Sequence, residues 1–185
     1  MLSLLQYFNY SPPTIVPGKY GDIEIEGGYN CYFLKENGVQ WMVYNTHSHE
    51  EVYDVFSHYF LARGNVVVTG MGFGARESWI LTKPEVTKLT IIEKNDNLLK
   101  YHQSIGSKFL QDPRVEVILM NASEYKGTCD VFLADHYELE PYGQILKDVK
   151  LIHDRINCNL MWFWPLERII MHCRKWHTDN DYPYN

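Results

Sequence analysis

The strongest constraint on this fold is a series of short apolar, β-branched runs separated by helical segments. The first is residues 66–68, Val66-Val67-Val68, and runs at 89–92, 115–120, 131–134 and 160–164 follow. Such runs suit strands covered on both faces of a parallel sheet. The clearest helical segment between them has Ile145, Val149, Ile152 and Ile156 on one stripe, with Lys147, Asp148, Lys150 and Asp154 off it. Alternation of this kind predicts right-handed βαβ units and a Rossmann-like, doubly wound, mostly parallel α/β sheet over residues 46–176.

A different pattern precedes that region. Residues 1–45 read as extended chain and a β-hairpin. Ile23 and Ile25 alternate with polar residues, and Glu36-Asn37-Gly38 separates two strand-like runs. Ser48 and Glu51 have capping-box spacing ahead of Val52, Val55, Phe56, Tyr59 and Phe60, which predicts a helix ending near Arg63-Gly64. A last helix is expected over 166–176, and residues 177–185 form a polar tail.

The chain of 185 residues is long enough for one domain with a substantial core. A net charge of −6 opposes a nucleic-acid backbone as the main partner, which requires clustered Lys and Arg. Cys31, Cys129, Cys158 and Cys173 form no CxxC pair, so neither a zinc knuckle nor a thioredoxin motif is present. Cys129 and Cys158 open apolar runs and are expected as buried free thiols, which implies a reducing, cytoplasmic setting. No basic residue precedes the short apolar run at the N-terminus, and no run is long enough to span a membrane, so neither a leader nor a membrane anchor is expected.

The strand at 66–68 runs directly into Gly70-Met71-Gly72-Phe73-Gly74, which opens a helix. Glycine allows positive φ and close approach of a ligand, and a helix N-terminus favours a negative group. Glu93 closes the second strand, where a carboxylate can accept both ribose hydroxyls of an adenosine. The bland alternative is tight helix–strand packing for the glycines and a solvated strand end for Glu93. Gly70-x-Gly72-x-x-Ala75 also satisfies a dinucleotide fingerprint, although little chain remains for the substrate region of a dehydrogenase. Asn121-Ala122, at the end of the third strand, instead favours S-adenosylmethionine, because a side-chain amide there can hold the adenine amino group.

In these segments, in their order and spacing, the chain resembles the class I S-adenosylmethionine-dependent methyltransferase superfamily, within it the spermidine synthase-like branch. The resemblance runs from about Ser48 to Trp176 through "NVVVTGMGFGAR", "KPEVTKLTIIEKN", "DPRVEVILMNASEY" and "CDVFLADHYE". It implies that Gly70, Gly72 and Gly74 cradle the methionine part and ribose, that Glu93 binds the ribose hydroxyls, and that Asn121 and Ala122 hold adenine. It places Asp135 at the catalytic acid of aminopropyltransferases and Glu138 at a second acid that binds the amine. An amine must be neutral to attack a sulfonium alkyl group, so a carboxylate that takes its proton is chemically apt.

The chain departs from the pattern at Thr69, where many methyltransferases carry an acid. It departs again at Asp135-His136-Tyr137-Glu138-Leu139, where the polyamine loop reads Asp-Ser-x-Asp-Pro. The last two strands of the superfamily sheet have no counterpart, and an exposed sheet edge is a liability, so a homodimer or a swapped N-terminal segment is expected.

Other features have blander roles open to them. His47 and His49 have i, i+2 spacing but no obvious third ligand, and no metal is expected. His136 either assists proton transfer or is a surface loop residue. Trp162 and Trp164 read as core residues, and Tyr137 and Tyr142 flank the expected pocket. The leading expectation is a transferase that binds S-adenosylmethionine and methylates a small acceptor. The alternatives are an aminopropyltransferase using decarboxylated S-adenosylmethionine, a non-catalytic binding subunit, and an oxidoreductase.

Overall fold

The computed structural model describes residues 8–46, 56–136, 142–166 and 169–170. Strands β1 (Gly18–Tyr20), β2 (Ile23–Gly28), β3 (Cys31–Glu36) and β4 (Val39–Asn45) form an antiparallel sheet in the order β1-β2-β3-β4. The expected hairpin is present: Asn37 and Gly38 have φ of 50° and 79°, and two successive positive φ values define the tight turn that matches strand twist. The hairpin is part of a four-stranded meander.

The chain continues through α1 (Phe56–Leu61), β5 (Gly64–Thr69), α2 (Ala75–Ile80), β6 (Val86–Glu93) and α3 (Asp96–Ser104). It then passes β7 (Val115–Leu119), a 3-10 turn (Ala122–Glu124), β8 (Gly127–Ala134), α4 (Tyr142–His153) and β9 (Ile156–Phe163). The second sheet has the order β7-β6-β5-β8-β9, with every neighbouring pair parallel. This is the doubly wound arrangement expected from the apolar runs. The order reverses on either side of β5, so a crevice opens at the carboxyl ends of β5 and β8.

Period-two burial explains why β5 is apolar throughout. Val66 and Val68 join a core with Phe73, Trp79, Leu89 and Tyr101, and Val67 faces a second core with Phe132, Ile145 and Ile152. The antiparallel sheet contributes Ile23, Ile25, Leu34 and Tyr44 to the first core, so one apolar layer joins the two sheets. It is this packing that brings β3 and β4 over the crevice.

Two expectations change in detail. Ile156 does not extend the α4 stripe. The helix ends at His153, and Ile156 opens β9, where it pairs with Gly127. A single β-branched residue fits the end of a helical stripe or the start of a strand, and pairing with β8 decides between them. The helix before β5 ends at Leu61, and Gly64 already belongs to the strand. The Ser48–Glu51 capping box, His47, His49 and Cys173 lie outside the described residues, as does most of 166–176. Among the described residues no helix is long and apolar enough to cross a membrane.

Candidate functional site

A cavity of about 670 Å³ lies over the carboxyl ends of β5, β6, β7 and β8, with Glu36, Trp41 and Met42 of the antiparallel sheet as an opposite wall. It brings together every described residue singled out from the sequence for cofactor binding: Gly70, Gly72, Gly74, Glu93, Asn121, Ala122 and Asp135. Glu138 lies outside the described residues.

The glycine turn forms the floor. Gly70 has φ of 73°, and a Cβ there would stand 2.6 Å from the carbonyl oxygen of Asp135. Only glycine lets the ends of β5 and β8 approach so closely. Gly74 has φ of 74° and faces the Phe109 ring, which a Cβ would strike. Gly74 thus follows the packing reading, while Gly70 shapes the cavity. Beneath the turn, His102 is fully buried, with Nε2 2.8 Å from the Gly72 carbonyl oxygen and Nδ1 2.8 Å from Ser107 Oγ. The carbonyl can only accept, so Nε2 carries the hydrogen and Nδ1 accepts from Ser107. Burial holds the His102 pKa down at about 4, against a smaller upward pull from the Gly72 carbonyl.

Glu93 is not a solvated strand end. It is 5% exposed; its Oε2 accepts the Met71 N–H at 2.9 Å and its Oε1 the Asn95 N–H at 2.7 Å. Burial raises its pKa, and the backbone N–H groups pull the other way. Each oxygen has a further lone pair, so the carboxylate is fixed in place with acceptor capacity left for two hydroxyls.

Asn121 lies at the expected place, but its amide is oriented by a local turn. Its Oδ1 accepts the Ser123 N–H at 3.0 Å and the Ser123 hydroxyl at 2.9 Å, capping the 3-10 turn. The carbonyl end of the amide is therefore committed to the turn, and the amide nitrogen is the end left for a ligand.

Arg76 stands in no motif of the sequence, yet it organises the floor. It is 6% exposed. Its Nε donates to Glu77 Oε1 at 2.9 Å, its Nη1 to Asp135 Oδ2 at 3.2 Å, and its Nη2 to the carbonyls of Thr69 and Gly70. Burial raises the pKa of Glu77, and Arg76 offsets part of that rise. The available clue is an adjacent cation and acid, Arg76-Glu77, in the first turn of the helix that follows the glycines.

Asp135 is not a helix N-cap, since the next residue, His136, is not helical. It follows β8 directly, and its N–H donates to Thr69 Oγ1 at 3.1 Å. The departure at Thr69 thus has a structural role. The same hydroxyl lies 2.5 Å from His136 Nδ1, and His136 Nε2 lies 3.2 Å from Asp148 Oδ2. A carboxylate only accepts, so Nε2 carries the hydrogen and Nδ1 accepts from Thr69. Burial lowers the His136 pKa and Asp148 opposes this, which suits the neutral ring that the chain of bonds requires. His136 is thus a wall of the cavity and not a surface loop residue. Asp148, Gln144 and Trp164 line the same end.

Cys129 and Cys158 face one another across β8 and β9, on the strand halves away from the cavity. Both thiols are free, and burial pushes Cys129 up to about 12.

No protein-family model matches the chain, and no curated protein matches it. Solved structures do. A spermidine synthase in complex with the transition-state analogue AdoDATO matches with a TM-score of 0.54 at 19% identity, over 78% of this chain and 53% of that one. The spermidine synthase from Thermotoga maritima matches with a TM-score of 0.50 at 19% identity, over 78% of this chain and 54% of that one. The chain therefore spans about half the length of the spermidine synthases it matches. Strand order, the antiparallel sheet over the crevice and these likenesses agree: the fold is that of the class I S-adenosylmethionine-dependent methyltransferases, in the form shared with spermidine synthase.

Proposed function

We propose that the protein binds S-adenosylmethionine, or its decarboxylated form, and transfers an alkyl group from it to a small acceptor. The observation that carries this reading is Glu93. It is a buried carboxylate at the end of β6, fixed by two backbone N–H groups, facing a cavity floored by the glycine turn. That is what recognition of paired ribose hydroxyls requires. When bound, the cofactor supplies an alkyl carbon activated by sulfonium. Gly70 and Gly72 would hold it, Asn121 and Ala122 would take the base, and Asp135 would face the acceptor as the group that takes its proton.

Methyl transfer is the first reading, because the polyamine loop after Asp135 is not preserved. The charges favour a second. The cavity holds Glu36, Glu77, Glu93, Asp135 and Asp148 against Arg76 and Lys94. Arg76 already pairs with Glu77 and Asp135, and Lys94 lies 3.7 Å from Glu36 and over the Trp41 ring. A methionine carboxylate would compete for committed cations, whereas the bare ammonium of the decarboxylated form would meet carboxylates. Calorimetric titration with both forms separates the readings. Tighter binding of S-adenosylmethionine supports methyl transfer, and tighter binding of the decarboxylated form supports aminopropyl transfer. Binding of neither ends the proposal.

A further inference from the structure

A pair of nucleophilic side chains stands outside the cavity. Cys129 of β8 and Cys158 of β9 are register partners, and both are free thiols. Register partners on neighbouring strands project to the same face. Strands about 4.8 Å apart put their Cα atoms inside the roughly 4.4–6.8 Å that a disulfide spans. Both side chains pack in one apolar cluster with Ile145, Ile152 and Ile156, and their sulfurs interact directly.

The two thiols are not equivalent. Cys129 is 5% exposed, and burial, the Cys158 sulfur and Asp130 all disfavour its thiolate. Cys158 is half-buried. Burial disfavours its thiolate too, but the Cys129 thiol and the Leu160 N–H both favour it. Ionisation therefore falls first on Cys158, the sulfur that solvent reaches. A bond between the pair would enclose residues 130–157, which carry Asp135, His136 and α4.

We propose that Cys129 and Cys158 are a modification site, closed to a reversible disulfide by a small hydroperoxide, and that the bond fastens the β8–α4 end of the fold. Cys158 is the nucleophile and Cys129 the resolving thiol. The Cys158 thiolate attacks one peroxide oxygen, the O–O bond breaks, and hydroxide leaves as the sulfur becomes a sulfenic acid. The Cys129 sulfur then attacks the sulfenic sulfur. The S–S bond forms, the S–O bond breaks, and the departing hydroxide takes the Cys129 proton to leave as water. The two thiols lose two electrons, and hydrogen peroxide is reduced to water.

The test is peptide mapping of the folded full chain after hydrogen peroxide, with remaining thiols blocked by iodoacetamide before tryptic digestion. The tryptic peptides 127–147 and 156–168 carry the two cysteines and should appear linked, and dithiothreitol should release them. The urea midpoint of the oxidised chain should rise by about 1 M, and the rise should be absent in Cys129→Ser. Dimedone should label Cys158 in peroxide-treated Cys129→Ser several-fold more than Cys129 in Cys158→Ser. No linkage between the two peptides, or linkage through Cys31 or Cys173 instead, overturns the site. An unchanged or lower midpoint of the linked chain overturns the fastening role, and equal or greater labelling of Cys129 overturns the order of attack. None of these readouts depends on a bound nucleoside, so the transferase reading stands or falls separately.

Discussion

The two ends of the cavity are built on different principles. At the β5–β6 end, Glu93, Gly70 and Gly72 come from one continuous strand–turn–helix–strand unit, and Glu93 is fixed by the backbone amides of Met71 and Asn95. At the β8–α4 end, Thr69, Asp135, His136 and Asp148 come from three separate elements and are joined by side-chain hydrogen bonds. Backbone amides give a site that tolerates substitution around it. A side-chain chain gives a site that one substitution or one proton can loosen. The first end is suited to a constant part of a ligand, and the second to a part that varies between related proteins.

Arg76 joins the ends, so removing it should have the largest effect. Arg76→Met leaves Glu77 buried without its cation and Asp135 without its anchor, and removing one partner of a buried pair costs roughly 3–5 kcal/mol. Urea unfolding followed by circular dichroism should show that loss; a change below about 1 kcal/mol would mean that the floor does not depend on the pair.

The β5–β6 end has its own weak point in His102. Its pKa is held at about 4 when folded, against 6.5 as the ordinary value, so the unfolded chain binds the proton more readily. The contribution of the neutral ring is complete above pH 6.5 and is lost as pH falls from there towards 4, by up to about 3 kcal/mol. Unfolding free energy measured across that window should fall more steeply for wild type than for His102→Gln; equal slopes would remove His102 as the acid-sensitive fastening of the glycine turn.

Glu93→Gln sharpens the contrast next. It retains size but presents an amide N–H to one of two backbone donors, and should weaken S-adenosylhomocysteine by about 10–100-fold, near 1.4–2.8 kcal/mol. Thr69→Val should act in the opposite manner. Loss of the hydroxyl frees the Asp135 N–H and His136, at a cost of about 1–2 kcal/mol in stability, with nucleoside affinity nearly unchanged. If Thr69→Val weakened the nucleoside as much as Glu93→Gln, the two ends would not be independent.

This contrast also explains what could be read from the sequence. The strand runs, the hairpin at Asn37-Gly38, the glycine turn and Glu93 at a strand end are set by local patterns, and the structure has them where those patterns lie. Asp148 shows the opposite case. Helical periodicity assigns it to the polar side of α4, and only the packing of α4 beside β8 and β9 turns that side to the cavity. Arg76 and His102 were missed because a charged or titratable residue on a buried helix face becomes intelligible only with its partners, Glu77 and Asp135 in one case and the Gly72 carbonyl in the other. Asn121 lies at the strand end that its sequence position implies, and the Ser123 cap, which no local pattern reveals, decides which end of its amide is left.

The central claim is that Glu93 and the glycine turn form a site for a sulfonium nucleoside, and titration of S-adenosylhomocysteine and NAD against wild type and Glu93→Ala tests it most directly. The account predicts saturable S-adenosylhomocysteine binding by wild type, its loss in Glu93→Ala, and no comparable binding of NAD. Tight NAD binding without a response to S-adenosylhomocysteine, or undiminished S-adenosylhomocysteine affinity in Glu93→Ala, would contradict it.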